Sequence, residues 1–390
     1  MKPRMYKKTT IDPESFRVNT SNTPYLVIVE SPSKCLKIEK YLGFQYKCIA
    51  SKGHLREITK VMSAKHQYTP VFGIISEKSS HVEWMKQAVS CFEPQNIFLG
   101  TDDDREGEAI AWHICQVCGL DIEKTPRILF HEITENALKL AVKTPLRIRM
   151  NIVRAQQARQ ILDRLIGFKI SPVLSRMLVH DNSKFLSAGR CQTPTLRLVY
   201  DKHKENIEKE QKVQYKIQGI FFKHPSNLQT TLELVIDSEL QVRDFLERSM
   251  QYSHKLHIDD KKTKTSSPPK PFNTSHLLQT VSSLLHISPK HTMDICQKLY
   301  QDGKITYMRT ESTKYANTFV QHLNTYITDA YGEDYLGDFK NITNFDNQNP
   351  HEAIRVTQIG MEHPEYSDKK MNDVYRLIWK RTIESSMKQY

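Results

Sequence analysis

The pattern of apolar and polar positions predicts two strand–helix units early in the chain. The continuous apolar run Tyr25–Val29 is followed by a helix that is expected to begin after Ser31 and to stop at Gly43. A second apolar strand is predicted at residues 96–101, and an acidic run then leads into a helix at residues 109–117. Because fully apolar strands that alternate with helices are typical of parallel sheets, both polar strand ends are expected at one edge of an α/β sheet.

Further along, the periodicity predicts a helical region and a strand-rich region. Residues 150–175 show an amphipathic helical pattern, residues 212–237 alternate loosely as strands do, and residues 239–251 form a short amphipathic helix. Residues 261–271 are basic and rich in proline, which indicates a linker and a domain boundary.

Beyond the linker, a helix–helix–strand order is expected. Thr274 is predicted to cap the first helix, the second helix spans residues 289–300, and Gly303 turns the chain into a strand that carries Tyr307. This order is typical of winged-helix modules, which usually bind DNA.

Composition indicates the partner and the compartment. The 390 residues include 56 Lys and Arg against 44 Asp and Glu, a formal net charge of +12 that favours a polyanion such as nucleic acid. The seven cysteines have no disulfide-like spacing, and no apolar run reaches the roughly 18 residues of a membrane span. The sequence therefore predicts a soluble, cytoplasmic protein that does not contact membrane. Since it has no G-x-x-x-x-G-K-[ST] loop, no nucleotide is expected.

Acidic residues follow both early strands. Glu30 ends the first strand, with Lys34 on the next helical turn, and the second strand runs into Asp102, Asp104 and Glu106. Side chains alternate along an extended backbone, so Asp102 and Asp104 point the same way and Glu106 can join them. Such oxygens suit Mg²⁺. The alternatives are an acidic helix N-terminus favoured by the macrodipole and, for Glu30, a solvated turn residue.

The stretch around Tyr307 offers a second kind of chemistry. A phenol two residues before Arg309 places a potential nucleophile beside a cation that can hold a phosphate. Taken alone, the stretch equally fits a half-buried packing tyrosine on a short strand. Because the acidic run already suggests a metal site, a phenol, an arginine and a metal together make phosphoryl transfer the hypothesis to test.

These segments resemble a known family. Val27-Ile-Val-Glu-Ser-Pro-Ser-Lys34 and Thr101-Asp-Asp-Asp-Arg-Glu-Gly-Glu-Ala-Ile-Ala111 resemble the TOPRIM module of type IA DNA topoisomerases. Further blocks resemble that family in the family's order: Phe130-His-Glu-Ile-Thr134, Leu186-Ser-Ala-Gly-Arg-Cys-Gln-Thr-Pro194, Ile305-Thr-Tyr-Met-Arg-Thr-Glu-Ser312 and His351-Glu-Ala-Ile-Arg355. The resemblance covers residues 25 to about 388.

The resemblance implies a Mg²⁺-dependent enzyme that cuts one strand of DNA and relaxes negatively supercoiled duplex DNA without ATP. In the family's chemistry, Tyr307 would attack phosphorus to give a 5′-phosphotyrosine, and Arg309 and the metal would stabilise the phosphoryl oxygens. Glu30 would protonate the leaving 3′-oxygen, Lys34 would steady the phosphate and His351 would support the tyrosine. The metal would be held by Asp102, Asp104 and Glu106. A groove for single-stranded DNA would be lined by Arg159, Asp163, Arg190 and Gln192.

The family's architecture is a mixed α/β, multidomain toroid. The domains expected here are a disordered basic tail (1–23), a Rossmann-like TOPRIM metal-binding domain (24–148), the first part of a helical domain that binds single-stranded DNA (149–210), the first part of a small β-rich gate arm with the linker (211–268), and a winged-helix-like domain with the nucleophilic tyrosine (269–390). In the family, more sequence completes the gate. The toroid is therefore expected to be incomplete at the C-terminus, to be closed by a continuation or a partner chain.

Two alternatives stay open. One is a truncated fragment or subunit that binds or cleaves single-stranded DNA without strand passage. The other is a TOPRIM enzyme of a different kind, a primase or nuclease, against which the Tyr307 block argues because those enzymes need no covalent tyrosine.

Overall fold

The computed structural model describes residues 22–64, 67–178, 185–209, 213–223, 226–258, 260, 266–344 and 352–388. The chain divides into two units, residues 1–162 with 265–390 and residues 163–264. Most of the expected basic tail at residues 1–23 lies outside the described residues, so that prediction is untested, as are the other domain boundaries. Among the described helices, none is long and apolar enough to cross a membrane.

The first unit begins with a small parallel sheet. The early strands of the unit are β1 (Tyr25–Val29), β2 (Tyr46–Ala50), β3 (Arg56–Ala64), β4 (Gln67–Ile74) and β5 (Ile97–Leu99). Strands β2, β1 and β5 lie side by side in parallel, with Val27 opposite both Cys48 and Phe98, while β3 and β4 form an antiparallel hairpin. The predicted parallel arrangement of the two early strands is confirmed.

Helices connect and cover this sheet. They are α1 (Pro32–Leu42), α2 (Ser79–Ser90), α3 (Arg105–Cys118) and α4 (Glu135–Lys143), and α5 (Met150–Leu178) has residues in both units. Short 3-10 turns occur at Ser76–Lys78 and Pro94–Asn96. As predicted, α1 starts with a proline after Ser31 and ends at Gly43, whose φ of 89° favours glycine.

The second unit contains two helices and a hairpin. Helix α6 (Gln192–Glu208) precedes strands β6 (Gln218–Lys223) and β7 (Ser226–Thr231), which pair in antiparallel fashion, and α7 (Glu239–Gln251) follows. The predicted alternation and the helix at residues 239–251 are both confirmed.

The first unit resumes after the linker. Its elements are α8 (Thr274–Leu285), α9 (Pro289–Gln301), β8 (Tyr315–Ala316), α10 (Asn317–Tyr331), β9 (Thr343–Asn344) and α11 (Lys369–Glu384), with 3-10 turns at Glu333–Tyr335 and Phe339–Asn341. Strands β8 and β9 pair in parallel.

The two faces of β1 belong to two hydrophobic cores. Leu26 and Ile28 pack in a core with residues of α2 and α3, whereas Val27 and Val29 join a core that includes Tyr307 and Met308. All four β1 side chains are fully buried, and each such burial stabilises the fold by about 1.5–3 kcal/mol. The alternation of a strand therefore brings the tyrosine segment onto the sheet that carries the early carboxylates.

Three local predictions are wrong. Helix α3 begins at Arg105 rather than at residue 109, because Asp104 caps it. Asn273, not Thr274, caps α8, since the Asn273 side chain accepts a hydrogen bond from the His276 amide. Tyr307 does not lie on a regular strand: the neighbouring Ile305 forms an isolated bridge with Val356.

Candidate active site

The ends of β1 and β5 place a buried ion pair under the site. The Lys34 ammonium, fully buried on the first turn of α1, donates to the carboxylate of Asp102 and lies 3.6 Å from Glu30. Asp102 is itself only 3% exposed and also accepts from the Tyr300 hydroxyl at 3.4 Å. Burial opposes ionisation of Asp102, but the charge of Lys34, the hydrogen bonds from Glu30 and Lys34 and the charge of Arg127 together outweigh it and lower the pKa of this carboxyl.

Glu30 shows the opposite shift. Burial, followed by a hydrogen bond to Asp102 and the charge of that carboxylate, raises the pKa of Glu30 to about 8. Glu30 is thus protonated at neutral pH. A carboxylic acid at a cavity wall can donate a proton, which a solvated turn carboxylate of ordinary pKa cannot do at this pH.

Asp104 joins the acidic run to the tyrosine. One carboxylate oxygen accepts from the Gly107 amide at 2.7 Å, which caps α3, and the other accepts from the Tyr307 hydroxyl at 2.6 Å. Arg309 lies 3.5 Å from the same second oxygen. A side chain at Gly107 would overlap the carbonyl oxygen of Asp102, so this close turn requires glycine.

Glu106 is held from its other side. Its carboxylate accepts from His54 Nε2 at 2.9 Å and from Gln156 Nε2 at 3.0 Å. The hydrogen bond from His54 is the main cause of the lowered pKa of Glu106. Glu106 is therefore an ionised ligand candidate.

The predicted metal ligands share one cavity but do not converge. A cavity of about 430 Å³ is lined by Asp102, Asp104 and Glu106 together with Glu30, Tyr307 and Arg309. Within the described part of the chain, no three acidic, histidine or cysteine side chains are placed to hold an ion as they stand. Each carboxylate instead accepts from a proton donor, namely Lys34, Tyr307 or His54. Their hard oxygens around an open cavity nevertheless suit Mg²⁺, which takes few protein ligands and keeps several waters.

The Tyr307 segment is positioned by hydrogen bonds to distant parts of the chain. The Tyr307 amide donates to the carbonyl of His131 at 2.8 Å, and the Thr306 amide donates to that of Arg355 at 2.9 Å. Only 5% of Tyr307 is exposed, and burial, aided by the charges of Asp102 and Asp104, raises the pKa of its phenol well above the ordinary value. Its hydroxyl nonetheless reaches the cavity, which is more than a purely packing tyrosine requires.

A second cavity adjoins the first. It measures about 560 Å³ and is lined by Asp104, Glu106 and Arg309 of the first cavity and by Arg105, Arg159 and Thr274. Three arginines in the lining of one cavity suit an anionic chain of phosphates. Of the four predicted groove residues, Arg159 is the one this cavity includes.

The other predicted groove residues lie in the second unit. Arg190 pairs with Asp163 at 3.0 Å, and the Gln192 amide donates to the Ser187 carbonyl at 2.9 Å. His351 lies outside the described residues, so its predicted role is untested.

Sequence reasoning missed several residues of the site. His54 and Tyr300 contact predicted ligands, and the fully buried Arg127 donates to the carbonyl of Asp102 at 2.9 Å and pairs with Glu108 at 3.3 Å. Arg355, 4% exposed, links Glu132 to Glu352. Apart from the pair between Glu352 and Arg355, these contacts join residues far apart in sequence, so no local pattern could have indicated them.

The fold is that of a type IA DNA topoisomerase, the family to which the chain belongs. Residues 147–390 match the family described as DNA topoisomerase, and residues 25–133 match the Toprim domain. The chain is 37% identical to DNA topoisomerase 1 of Helicobacter pylori (strain ATCC 700392 / 26695) over 391 aligned positions, covering 93% of this chain and 52% of that protein. The structure of full-length topoisomerase I from Thermotoga maritima matches with a TM-score of 0.76 and 36% identity, over 93% of this chain and 61% of that one. The chain thus spans about half the length of the curated relative, and the family resemblance drawn from the motifs is confirmed.

Proposed function

We propose that this chain cleaves and rejoins one strand of DNA through a covalent bond to Tyr307. The observation that carries the proposal is the 2.6 Å hydrogen bond from the Tyr307 hydroxyl to Asp104, in a cavity that also holds the protonated Glu30. The phenol oxygen attacks phosphorus while its proton passes to Asp104. The bond from phosphorus to the 3′-oxygen breaks, and Glu30 gives its proton to that oxygen. Rejoining reverses these steps, so no ATP is required.

Two cations act at different distances from the phosphate. Arg309 is 57% exposed at the cavity wall and can donate to a phosphoryl oxygen. Lys34 is fully buried and held by Asp102, so its part is to keep Asp102 ionised beside Glu30. The direct contact of Lys34 with phosphate that the motif suggests is therefore replaced by an indirect one in this proposal.

Asp102, Asp104 and Glu106 would hold Mg²⁺. The support is their hard oxygens on one cavity wall and the ionised state that Lys34 and His54 favour for Asp102 and Glu106. A bound Mg²⁺ supplies positive charge to the phosphate oxygens.

The substrate proposed is single-stranded DNA, including the unpaired regions of negatively supercoiled duplex. The adjoining cavity with Arg105, Arg159 and Arg309 supports an anionic strand beside the tyrosine. A net charge of +12 agrees with such a partner.

The test is covalent trapping with end-labelled single-stranded oligonucleotides under denaturing conditions. We expect a label at the 3′ end to stay with the protein and a label at the 5′ end to be released, since Tyr307 would hold the 5′-phosphate. Tyr307→Phe should abolish the adduct and leave binding nearly unchanged. Tyr331→Phe, on α10 and 41% exposed, is the matched control. An adduct that persists in Tyr307→Phe would refute the assignment.

Strand passage is proposed only for a completed assembly. In the second unit, Leu196, Leu198 and Val199 of α6 are each more than 60% exposed, and apolar surface of this kind is usually covered by another segment or chain. We expect the 390-residue chain to cleave oligonucleotides without relaxing a negatively supercoiled plasmid. Efficient relaxation by the isolated chain would contradict this.

A further inference from the structure

We propose that Thr274 is a positioning residue for Arg309, acting through the backbone on both sides of that arginine. The inference rests on the proposed function, in which Arg309 binds the reacting phosphate. Thr274 itself is not assigned to the chemistry.

The geometry centres on one hydroxyl. Thr274 is the first residue of α8, and its hydroxyl accepts from the Thr310 amide at 2.9 Å. The same hydroxyl donates its proton to the carbonyl of Met308 at 2.8 Å or to that of Thr310 at 3.0 Å. The Thr274 amide also donates to the Thr310 carbonyl at 3.0 Å. The residues before and after Arg309 are thus both tied to Thr274.

This tie matters because Arg309 lacks a regular scaffold. Residues 306–310 belong to no regular helix or strand, and the exposed guanidinium sits 3.5 Å from Asp104. Its reach is therefore set by where the backbone places its Cα. A displacement of about 1 Å at a reacting centre can cost about 100-fold in rate. Since α8 is anchored by the fully buried Val281 and by Leu277, Thr274 transfers the rigidity of that helix to Arg309.

Thr280 offers a matched control on the same helix. Its hydroxyl donates to the His276 carbonyl at 2.8 Å, one turn back, and it is half-buried as Thr274 is. It does not line the two cavities described above. Replacing either threonine by valine removes a hydroxyl at nearly constant shape.

The experiment measures adduct formation by the full chain with saturating single-stranded oligonucleotide, together with oligonucleotide affinity and the melting temperature. We expect Thr274→Val to slow adduct formation at least about 10-fold, with affinity changed less than about 3-fold. Thr274→Ser should restore the rate to within about 2-fold, because it keeps the hydroxyl. Thr280→Val should match the unmutated chain.

A second background separates positioning from general destabilisation. In Arg309→Lys, the flexible ammonium depends less on its orientation than the planar, two-pronged guanidinium does. Adding Thr274→Val to that variant should therefore lower the rate of adduct formation by less than about 3-fold. An equal loss in both backgrounds, or an unchanged rate in Thr274→Val, would overturn the inference while leaving the proposed function intact. Failure of the unmutated chain to form any Tyr307 adduct would overturn both.

Discussion

The carboxylates and the tyrosine meet in one cavity, yet the backbone beneath them is built differently. Glu30 and the Asp102 run follow β1 and β5, which are fixed by parallel pairing with buried neighbours on both faces. Tyr307 and Arg309 lie on an irregular stretch that is fixed by separate hydrogen bonds to His131, Arg355 and Thr274. The backbone that carries the carboxylates is specified by a repeated apolar pattern, whereas the backbone that carries Tyr307 and Arg309 is specified by a few long-range contacts.

The two kinds of backbone respond differently to the loss of a contact. A sheet edge is less sensitive to the loss of one hydrogen bond, because the neighbouring bonds of the ladder hold the same backbone. The irregular stretch has no such ladder, so each hydrogen bond that holds it, such as those between Thr274 and Met308 or Thr310, has a larger share in placing the reactive groups. The exception at the sheet edge is the tight turn at Gly107, where backbone passes close to backbone.

The largest effect is expected from Gly107→Ala. The new methyl group would overlap the Asp102 carbonyl, so the acidic turn must move. We expect a loss of about 4 kcal/mol of unfolding free energy, together with loss of the adduct. Chemical denaturation measures the first. Gly360→Ala is the control, since nothing lies within 4 Å of its position. A stable, active Gly107→Ala protein would show that the turn adapts to a side chain at this position.

Gly303→Ala tests the irregular side with the same chemical change. Gly303 has φ of +58°, and an added methyl would lie 2.5 Å from the Ile133 carbonyl oxygen. We expect about 3 kcal/mol of destabilisation, since strain and overlap combine. The rate of adduct formation should fall by more than the unfolded fraction of the protein explains, because Gly303 begins the stretch that carries Tyr307. If Gly303→Ala lost about 3 kcal/mol of unfolding free energy but still cleaved the oligonucleotide at the normal rate, the Tyr307 stretch would not be weakly supported.

The sequence predicts the sheet edge better than it predicts the irregular stretch around Tyr307. Strand β1, helix α7 and the ends of α1 follow from apolar periodicity and from Pro32 and Gly43, all local signals. The start of α3 was missed because its acidic first turn carries no apolar periodicity, although Asp104 is a typical capping residue. The Tyr307 stretch was predicted to be a strand because the tyrosine lies between apolar neighbours in the sequence. The hydrogen-bond partners that fix it are distant residues, which no local pattern encodes.

A smaller effect is expected at Glu30. Its pKa is raised from 4.5 to about 8, so between these values the unfolded chain releases a proton that the folded chain keeps. Stability should therefore be full below pH 4.5 and fall as the pH rises through 8, by about 2 kcal/mol once solvent at its partly exposed side chain is allowed for. Glu30→Gln should flatten this dependence in metal-free buffer. A profile in Glu30→Gln that still falls between pH 5 and 8 would place the titration on another group.

The smallest effect is expected at Arg190, which belongs neither to the parallel sheet nor to the irregular stretch around Tyr307. Arg190 forms a solvent-exposed ion pair with Asp163, so its loss should leave the free energy of unfolding nearly unchanged. If Arg190 instead neutralises one phosphate of a bound strand, Arg190→Gln should reduce the slope of log affinity against log salt by about 0.7. The control is Arg197→Gln, which removes an exposed ion pair with Asp201 in the same unit. Oligonucleotide binding from 50 to 200 mM salt, in about four steps, resolves such a change. Equal slopes for Arg190→Gln, Arg197→Gln and the unmutated chain would remove Arg190 from the groove. A reduced slope with an unchanged rate of adduct formation at saturation would show that DNA affinity and chemistry are separate, since neither Tyr307 nor the carboxylates would have moved.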